Sequence, residues 1–188
     1  MANLILASSS PRRKELLQQL GLEFTILSPN IDESVLENET AEEYVGRLAA
    51  CKAQMVLAHY PQAIILAADT SLVFNGQIIG KPESKQHAFE IWSLLSNNVH
   101  EVLTGISVVT TEKSVTQVVR TRVKLQKLSL EDMEYYWATG EPLGKAGAYA
   151  IQGIAAQYVT HIEGSYSNVV GLPLHETVQL LKAVKALN

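Results

Sequence analysis

The sequence predicts an α/β fold, with a mixed, twisted central sheet, flanking helices and a single domain spanning residues 1–188. Three observations carry this. Short, wholly apolar runs at Asn3–Ala7 and Ala63–Ala68 read as buried strands. Segments with helical start and stop signals alternate with them. Paired β-rich runs, separated by turn residues, add hairpins to the frame.

In chain order, Asn3–Ala7 is the first strand. Ser8-Ser9-Ser10-Pro11 then turns the chain into a helix, with Ser10 at the N-cap and Pro11 at the first helical position. That helix runs to Leu20 and stops at Gly21. Glu23–Leu27 reads as a second strand, followed by a polar loop carrying Asp32 and Glu33. Thr40 and Glu43 form a capping box that opens a long helix ending near His59, before Pro61. Ala63–Ala68 is a strand ending on Asp69. Leu72–Phe74 and Gln77–Ile79 flank an Asn75-Gly76 turn and read as a hairpin. Ser84 caps a helix to Leu95. Val99–Thr111 and Val115–Leu128 are long β-rich runs joined by a polar turn at Glu112–Ser114, and Ser129 with Asp132 starts a short helix. Strand-like segments lead from there to Pro173, which opens the terminal helix.

Composition narrows the function classes. Hydrophobic residues make up 47% and charged residues 18%, which suits a packed core rather than a disordered chain. The net charge of −4 argues against stable nucleic-acid binding, whose affinity comes from Lys and Arg displacing counterions. No stretch has the length of a membrane span, and the first residues lack the cationic start of a signal peptide. The single cysteine, Cys51, excludes an internal disulfide and a multi-cysteine zinc site, and it fits a reducing cytoplasm. Cys51 lies beside the apolar stripe of its helix and is expected in the core.

Five places hold chemistry. Ser8 to Lys14 joins a serine turn to a helix start that carries Arg12, Arg13 and Lys14. Those cations oppose the helix dipole, so an anion such as a phosphate chain would offset them; an ordinary cap with solvated charge is the bland alternative. Asp69 closes an apolar strand, where it either holds a divalent ion, takes a proton from water, or merely caps a turn. Lys52 falls inside the stripe Val45, Leu48, Met55 and Val56, and it either snorkels to water or points at a fixed anion. Gly80-Lys81-Pro82 is not a P-loop, since Pro82 replaces the required Ser or Thr; alone, Lys81 reads as a surface residue. Gly147–Gly153 presents Gln152, whose donor and acceptor match a pyrimidine edge, or it is a strand with one exposed Gln. The histidines show no metal-binding spacing, and the acidic loop around Glu33 offers a second carboxylate or simply solvated charge.

Taken in order, these motifs resemble the Maf-type nucleotide pyrophosphatases. The match covers Leu-Ala-Ser8-Ser-Ser-Pro-Arg12-Arg13, Asp32-Glu33, Tyr44 to Arg47-Leu-Ala, Lys52-Ala, Ala68-Asp69-Thr70 and Gly80-Lys81-Pro82. It continues through His100-Glu-Val-Leu-Thr, Lys145 to Gly153, and Val-Val-Gly171-Leu-Pro. The resemblance implies an inosine-triphosphatase-like fold with two lobes around a cleft, a homodimer, and Mg²⁺ or Mn²⁺ as cofactor. It implies Asp69 as the catalytic acidic residue and Glu33 with Asp69 as metal carboxylates. Ser8, Arg12, Arg13, Lys52 and Lys81 are expected on the triphosphate, and Arg12, Thr70 and Gln152 as determinants of base choice. A related branch acting on 7-methyl-GTP typically carries Ser-Glu-Gly where this chain reads Ile151-Gln152-Gly153, which assigns the chain to the dTTP/UTP branch. Where the family often shows Gly, commonly followed by Arg, this chain has Asn97-Asn98; Asn tolerates the left-handed conformation, so the turn survives without the Arg. The expectation is a metal-dependent dTTP and UTP pyrophosphatase. Its rivals are a 7-methyl-GTP pyrophosphatase and a non-catalytic nucleotide-binding regulator of cell division.

Overall fold

Parallel pairing sets the frame. The structure, a computed structural model, describes residues 3–187; Met1, Ala2 and Asn188, the ends of the expected single domain, lie outside the described residues. Strand β1 (Leu4–Ala7) pairs in parallel with β2 (Thr25–Leu27) on one side and with β3 (Ile64–Phe74) on the other. Helix α1 (Pro11–Gln18) connects β1 to β2, and α2 (Ala41–His59) carries the chain back past β1 to β3. The chain therefore leaves β1 toward one neighbour and returns on the opposite side. This is the arrangement that opens a ligand crevice at the carboxyl ends of strands.

The remaining elements are β4 (Gln77–Ile79), α3 (Lys85–Leu95), β5 (Val99–Val109), β6 (Ser114–Leu125), α4 (Leu130–Ala138), β7 (Val159–Glu163), α5 (Tyr166–Val170) and α6 (Leu174–Ala183). Among the described residues the sheet has seven strands in the order β2-β1-β3-β5-β6-β7, with β4 paired to β3. The pairing is mixed, because β4 and β7 are antiparallel to their neighbours. No described helix is long and apolar enough to cross a membrane.

Two compact units emerge. The first holds the residues up to Thr70, Thr104–Val119 and the residues from Gly171 onward; the second holds Ser71–Leu103 and Arg120–Val170. The core of the first unit is aliphatic. Ile5 and Ala7, Ile65 and Ala67 alternate onto one face of β1 and β3, and Ala53 and Val56 of α2 pack on them. Gly105 lets α2 lie flush on β5, because a Cβ there would come within 2.2 Å of the Val45 carbonyl oxygen. The second unit has an aromatic core. Trp92 of α3 meets Tyr136 of α4 in a tilted ring contact at 5.3 Å, Tyr136 meets Tyr158 edge-on at 5.9 Å, and the Trp92 indole N–H donates to the Ala148 carbonyl.

Several expectations hold in detail. Thr40 and Glu43 make both arms of the capping box, as do Ser129 and Asp132. Asn75 and Gly76 both have positive φ and turn β3 into β4, with Phe74 opposite Gln77. Asn97 adopts φ 58°, the left-handed geometry expected of it.

Others are corrected. β3 does not end at Asp69; it runs on to Phe74, because the β-prone residues Thr70–Phe74 find a partner in β4. What does end there is the parallel pairing, whose last register is Ala7 with Ala67. The segment before β7 is not strand: short 3₁₀ turns at Ala146–Ala148 and Ile154–Tyr158 flank a turn at Gln152, with Gly147 and Ala148 at positive φ. Two helix starts fall where expected, with Pro173 as the N-cap that opens α6 and Ser10 as the N-cap of α1, although the Ser10 side chain makes no cap bond. Cys51 is exposed, since the turn of α2 that buries Lys52 and Ala53 faces it outward.

Candidate functional site

Two residues beyond the last β1–β3 pair, two side-chain networks form within the first unit. One is built on the serine turn. Ser8 is buried, and its Oγ accepts from the Ser10 N–H at 3.2 Å and from Arg13 Nη1 at 3.4 Å. Arg13 also donates from Nε to the Gly171 carbonyl at 2.8 Å and from Nη2 to Thr70 Oγ1 at 3.0 Å. Thr70 Oγ1 in turn lies 2.9 Å from Thr104 Oγ1. Burial lowers the pKa of Arg13, the charges of Asp69 and Glu33 oppose that, and Arg12 adds to the lowering. Arginine nonetheless stays charged. The two arginines thus differ. All three nitrogens of the Arg13 guanidinium serve the fold, whereas the half-buried Arg12 guanidinium has no hydrogen bond or ion pair among the described residues. Burial lowers the Arg12 pKa against the opposing charge of Glu15.

The second network centres on Lys52. Its ammonium neither snorkels nor stands free: Nζ lies 2.7 Å from Asp69 Oδ1 and 2.6 Å from Glu33 Oε1. Lys52 and Asp69 are only 8% and 9% exposed, so each charge has lost most of its water and requires the other. The second oxygen of Asp69 accepts no hydrogen bond among the described residues. Glu33 reaches in from a surface loop that α2 holds in place. The Tyr44 hydroxyl donates to the Glu33 carbonyl at 2.9 Å, and Arg47 Nη2 donates to the Ser34 carbonyl at 2.9 Å while pairing with Glu39. A hydrogen bond from Arg47 holds the Glu39 carboxyl down at about 2. Burial, then the charges of Asp69 and Glu33, raise the Tyr44 phenol.

The donor set can be tested against a divalent ion. Two carboxylates converge on one cationic atom, supplying hard oxygen ligands where positive charge is wanted. No group of three or more His, Cys, Asp or Glu suited to a metal occurs among the described residues. A carboxylate pair completed by water and substrate phosphates is the usual way Mg²⁺ is held, so the residues fit such an ion.

In the second unit, Lys81 follows β4 and is exposed, and Gln152 is exposed at the tip of a turn; neither side chain has a hydrogen-bond partner among the described residues. The structure therefore joins Ser8, Arg13 and Thr70, and separately Lys52, Asp69 and Glu33. It leaves the side chains of Arg12, Lys81 and Gln152 unengaged.

A family model described as Maf-like protein matches residues 3–184. The chain belongs to the Maf-like family. A relative from Acinetobacter baylyi, named dTTP/UTP pyrophosphatase, is 66% identical over 97% of this chain and 100% of its own length. A second, from Colwellia psychrerythraea and of the same name, is 52% identical over 95% of this chain and 86% of its own. A third with that name, from Symbiobacterium thermophilum, is 47% identical over 96% and 93%. Among solved structures, the Ham1 protein of Staphylococcus aureus superposes with a TM-score of 0.53 over 97% of each chain at 12% identity, which agrees with the expected inosine-triphosphatase-like fold.

Tyr44, Arg47, Thr104 and Gly171 of this Maf-like chain stand within the motifs read from its sequence but were given no role there. Thr104 offered a signal, as a polar residue inside the apolar run Val102–Ile106 that proves fully buried against Thr70. Arg47 stands one helical turn after Tyr44, and that spacing puts both on the face that holds the Glu33 loop. The partnership of Arg13 with Gly171 had no signal, being 158 residues apart in sequence.

Proposed function

We propose that this chain is a nucleoside triphosphate pyrophosphatase that hydrolyses dTTP and UTP to the monophosphate and pyrophosphate. The observation that carries the reading is the buried Asp69–Lys52 pair at the carboxyl end of the parallel strands, met by Glu33 from a surface loop, in a chain whose Maf-like relatives bear that activity in their names. The proposal includes a divalent ion and a homodimer, as the family resemblance implies, and a cytoplasmic setting, which the single cysteine fits.

Glu33 and Asp69 would hold Mg²⁺ or Mn²⁺, which supplies neutralisation of phosphate charge. As the family resemblance implies, Ser8, Arg12, Lys52 and Lys81 are the residues that bind the triphosphate. Arg13 adds a fixed positive charge and holds Ser8 and Thr70 in position. Asp69 takes the proton of a water attacking the α-phosphorus in line; the bond from that phosphorus to the bridging oxygen breaks, and pyrophosphate leaves. Lys52 holds Asp69 in orientation for this task through the contact of its Nζ with Oδ1. Gln152 reads the pyrimidine edge by offering one donor and one acceptor, with Arg12 and Thr70 contributing to base choice. Most of the rate comes from positioning and charge stabilisation.

The test is pyrophosphate release from a nucleotide panel with Mg²⁺ or Mn²⁺. dTTP and UTP are expected to turn over fastest, and Asp69→Asn is expected to lose roughly 10²–10⁴-fold in turnover, the range of a positioned general base. Preferred turnover of 7-methyl-GTP would move the chain to the other branch. An Asp69→Asn variant with near-normal turnover would overturn the mechanism.

A further inference from the structure

The turn that carries Gln152 is held at both ends by one hydrogen-bonded pair of side chains. The Tyr136 hydroxyl donates to Glu141 Oε1 at 2.6 Å and accepts from the Ala150 N–H at 3.1 Å, before the turn. The Glu141 carboxylate accepts from the Ile154 N–H at 2.9 Å and the Ala155 N–H at 3.3 Å, after it. The turn itself closes through the Gly153 N–H to the Ala150 carbonyl. Gly153 lies against the same carboxylate so closely that a Cβ would stand 2.1 Å from Glu141 Oε2. Burial raises the Glu141 pKa, but the hydrogen bonds from Tyr136, Ile154 and Ala155, with the Lys145 charge, outweigh it and leave the carboxyl below its ordinary value.

Gln152 itself is exposed and has no side-chain partner among the described residues, so only the backbone beneath it sets where its amide points. Ala150 and Ala155 are buried, so their backbone N–H groups need partners within the protein. The buried Tyr136 hydroxyl and the charged Glu141 carboxylate supply them on the two sides of the turn, and this fixes its backbone. We propose that Tyr136 and Glu141 are positioning residues for base selection, clamping the Ala150–Ala155 turn so that Gln152 meets the pyrimidine edge in one orientation. The inference rests on reading Gln152 as the base-contacting residue.

Uracil and cytosine differ in the donor and acceptor pattern of that edge, so the UTP over CTP ratio of kcat/KM reports the alignment of Gln152. Tyr136→Phe and Glu141→Gln are expected to lower that ratio roughly tenfold, with the loss in KM for UTP rather than in kcat. Gln152→Ala should lower it at least as much, and adding Glu141→Gln to Gln152→Ala should change it no further. Circular dichroism and thermal melting establish that each variant is folded. If Glu141→Gln does not fold, Tyr136→Phe carries the test; if neither folds, the pair serves folding alone and the inference is overturned. Folded variants that keep the wild-type ratio, or effects that add to that of Gln152→Ala, overturn it too. A wild type with no preference for UTP over CTP instead sinks the base-reading of Gln152, and this inference with it.

Discussion

The two compact units of this chain hold their candidate site residues by opposite means. In the first, charged groups hold one another: Lys52 sits between Asp69 and Glu33, and Arg13 is shared by Ser8, Thr70 and Gly171. In the second, Lys81 and Gln152 are exposed and their side chains have no hydrogen-bond partner among the described residues; it is the backbone around Gln152 that is tied down, by Tyr136 and Glu141. The difference follows from desolvation. A charge taken out of water must find a partner in the protein, whereas an exposed amide is satisfied by solvent and needs only a rigid support. Position is thus built into side-chain pairs in one unit and into a backbone turn in the other.

The largest test of this contrast is Lys52→Met. It leaves Asp69 as an uncompensated buried charge, and urea unfolding should report a loss of about 3–5 kcal/mol. Adding Asp69→Asn should recover most of that loss; a double variant no more stable than Lys52→Met would show that the pair is not coupled. The second unit should instead respond to acid through His100, whose Nε2 lies 2.7 Å from the Tyr149 hydroxyl. Burial lowers the His100 pKa from 6.5 to about 4. The unfolded chain therefore binds a proton that the folded chain refuses, so this contribution is complete above pH 6.5 and is lost as the pH falls toward 4. The loss amounts to roughly 3 kcal/mol. His100→Gln should flatten the stability curve in that window, and an unchanged slope there would refute the assignment. The smallest stability effect belongs to Glu33→Gln. Its carboxylate side chain is 54% exposed, so the variant should lose less than about 1 kcal/mol, and less still at high salt. Its effect should appear instead as a higher divalent-ion concentration needed for half-maximal pyrophosphate release.

Much of this architecture was legible in the residues. The apolar runs at Asn3–Ala7 and Ala63–Ala68, the two capping boxes and the Asn75-Gly76 turn are local signals, and each folds as its chemistry dictates. Lys52 was visible as a misfit in an apolar stripe. Where local signals were weak or contradictory the reading failed. Gly147–Gly153 looked like strand, yet positive φ at Gly147 and Ala148 and the pull of Tyr136 and Glu141 bend it into turns. Cys51 looked like core because the width of a helix stripe cannot be judged without the surface it packs on.

The sequence by itself determined where helices and strands begin, because caps, turns and apolar periodicity act over a few residues. It also marked Asp69, Lys52 and the Arg12-Arg13 pair as chemically unusual. Only the tertiary structure decided which partner each takes: Glu33 for Lys52, Gly171 for Arg13, Glu141 for the turn beneath Gln152. Those pairings join residues far apart along the chain. They are selected by the cost of leaving a buried polar atom unmatched, a cost that exists only once the surrounding elements have excluded water.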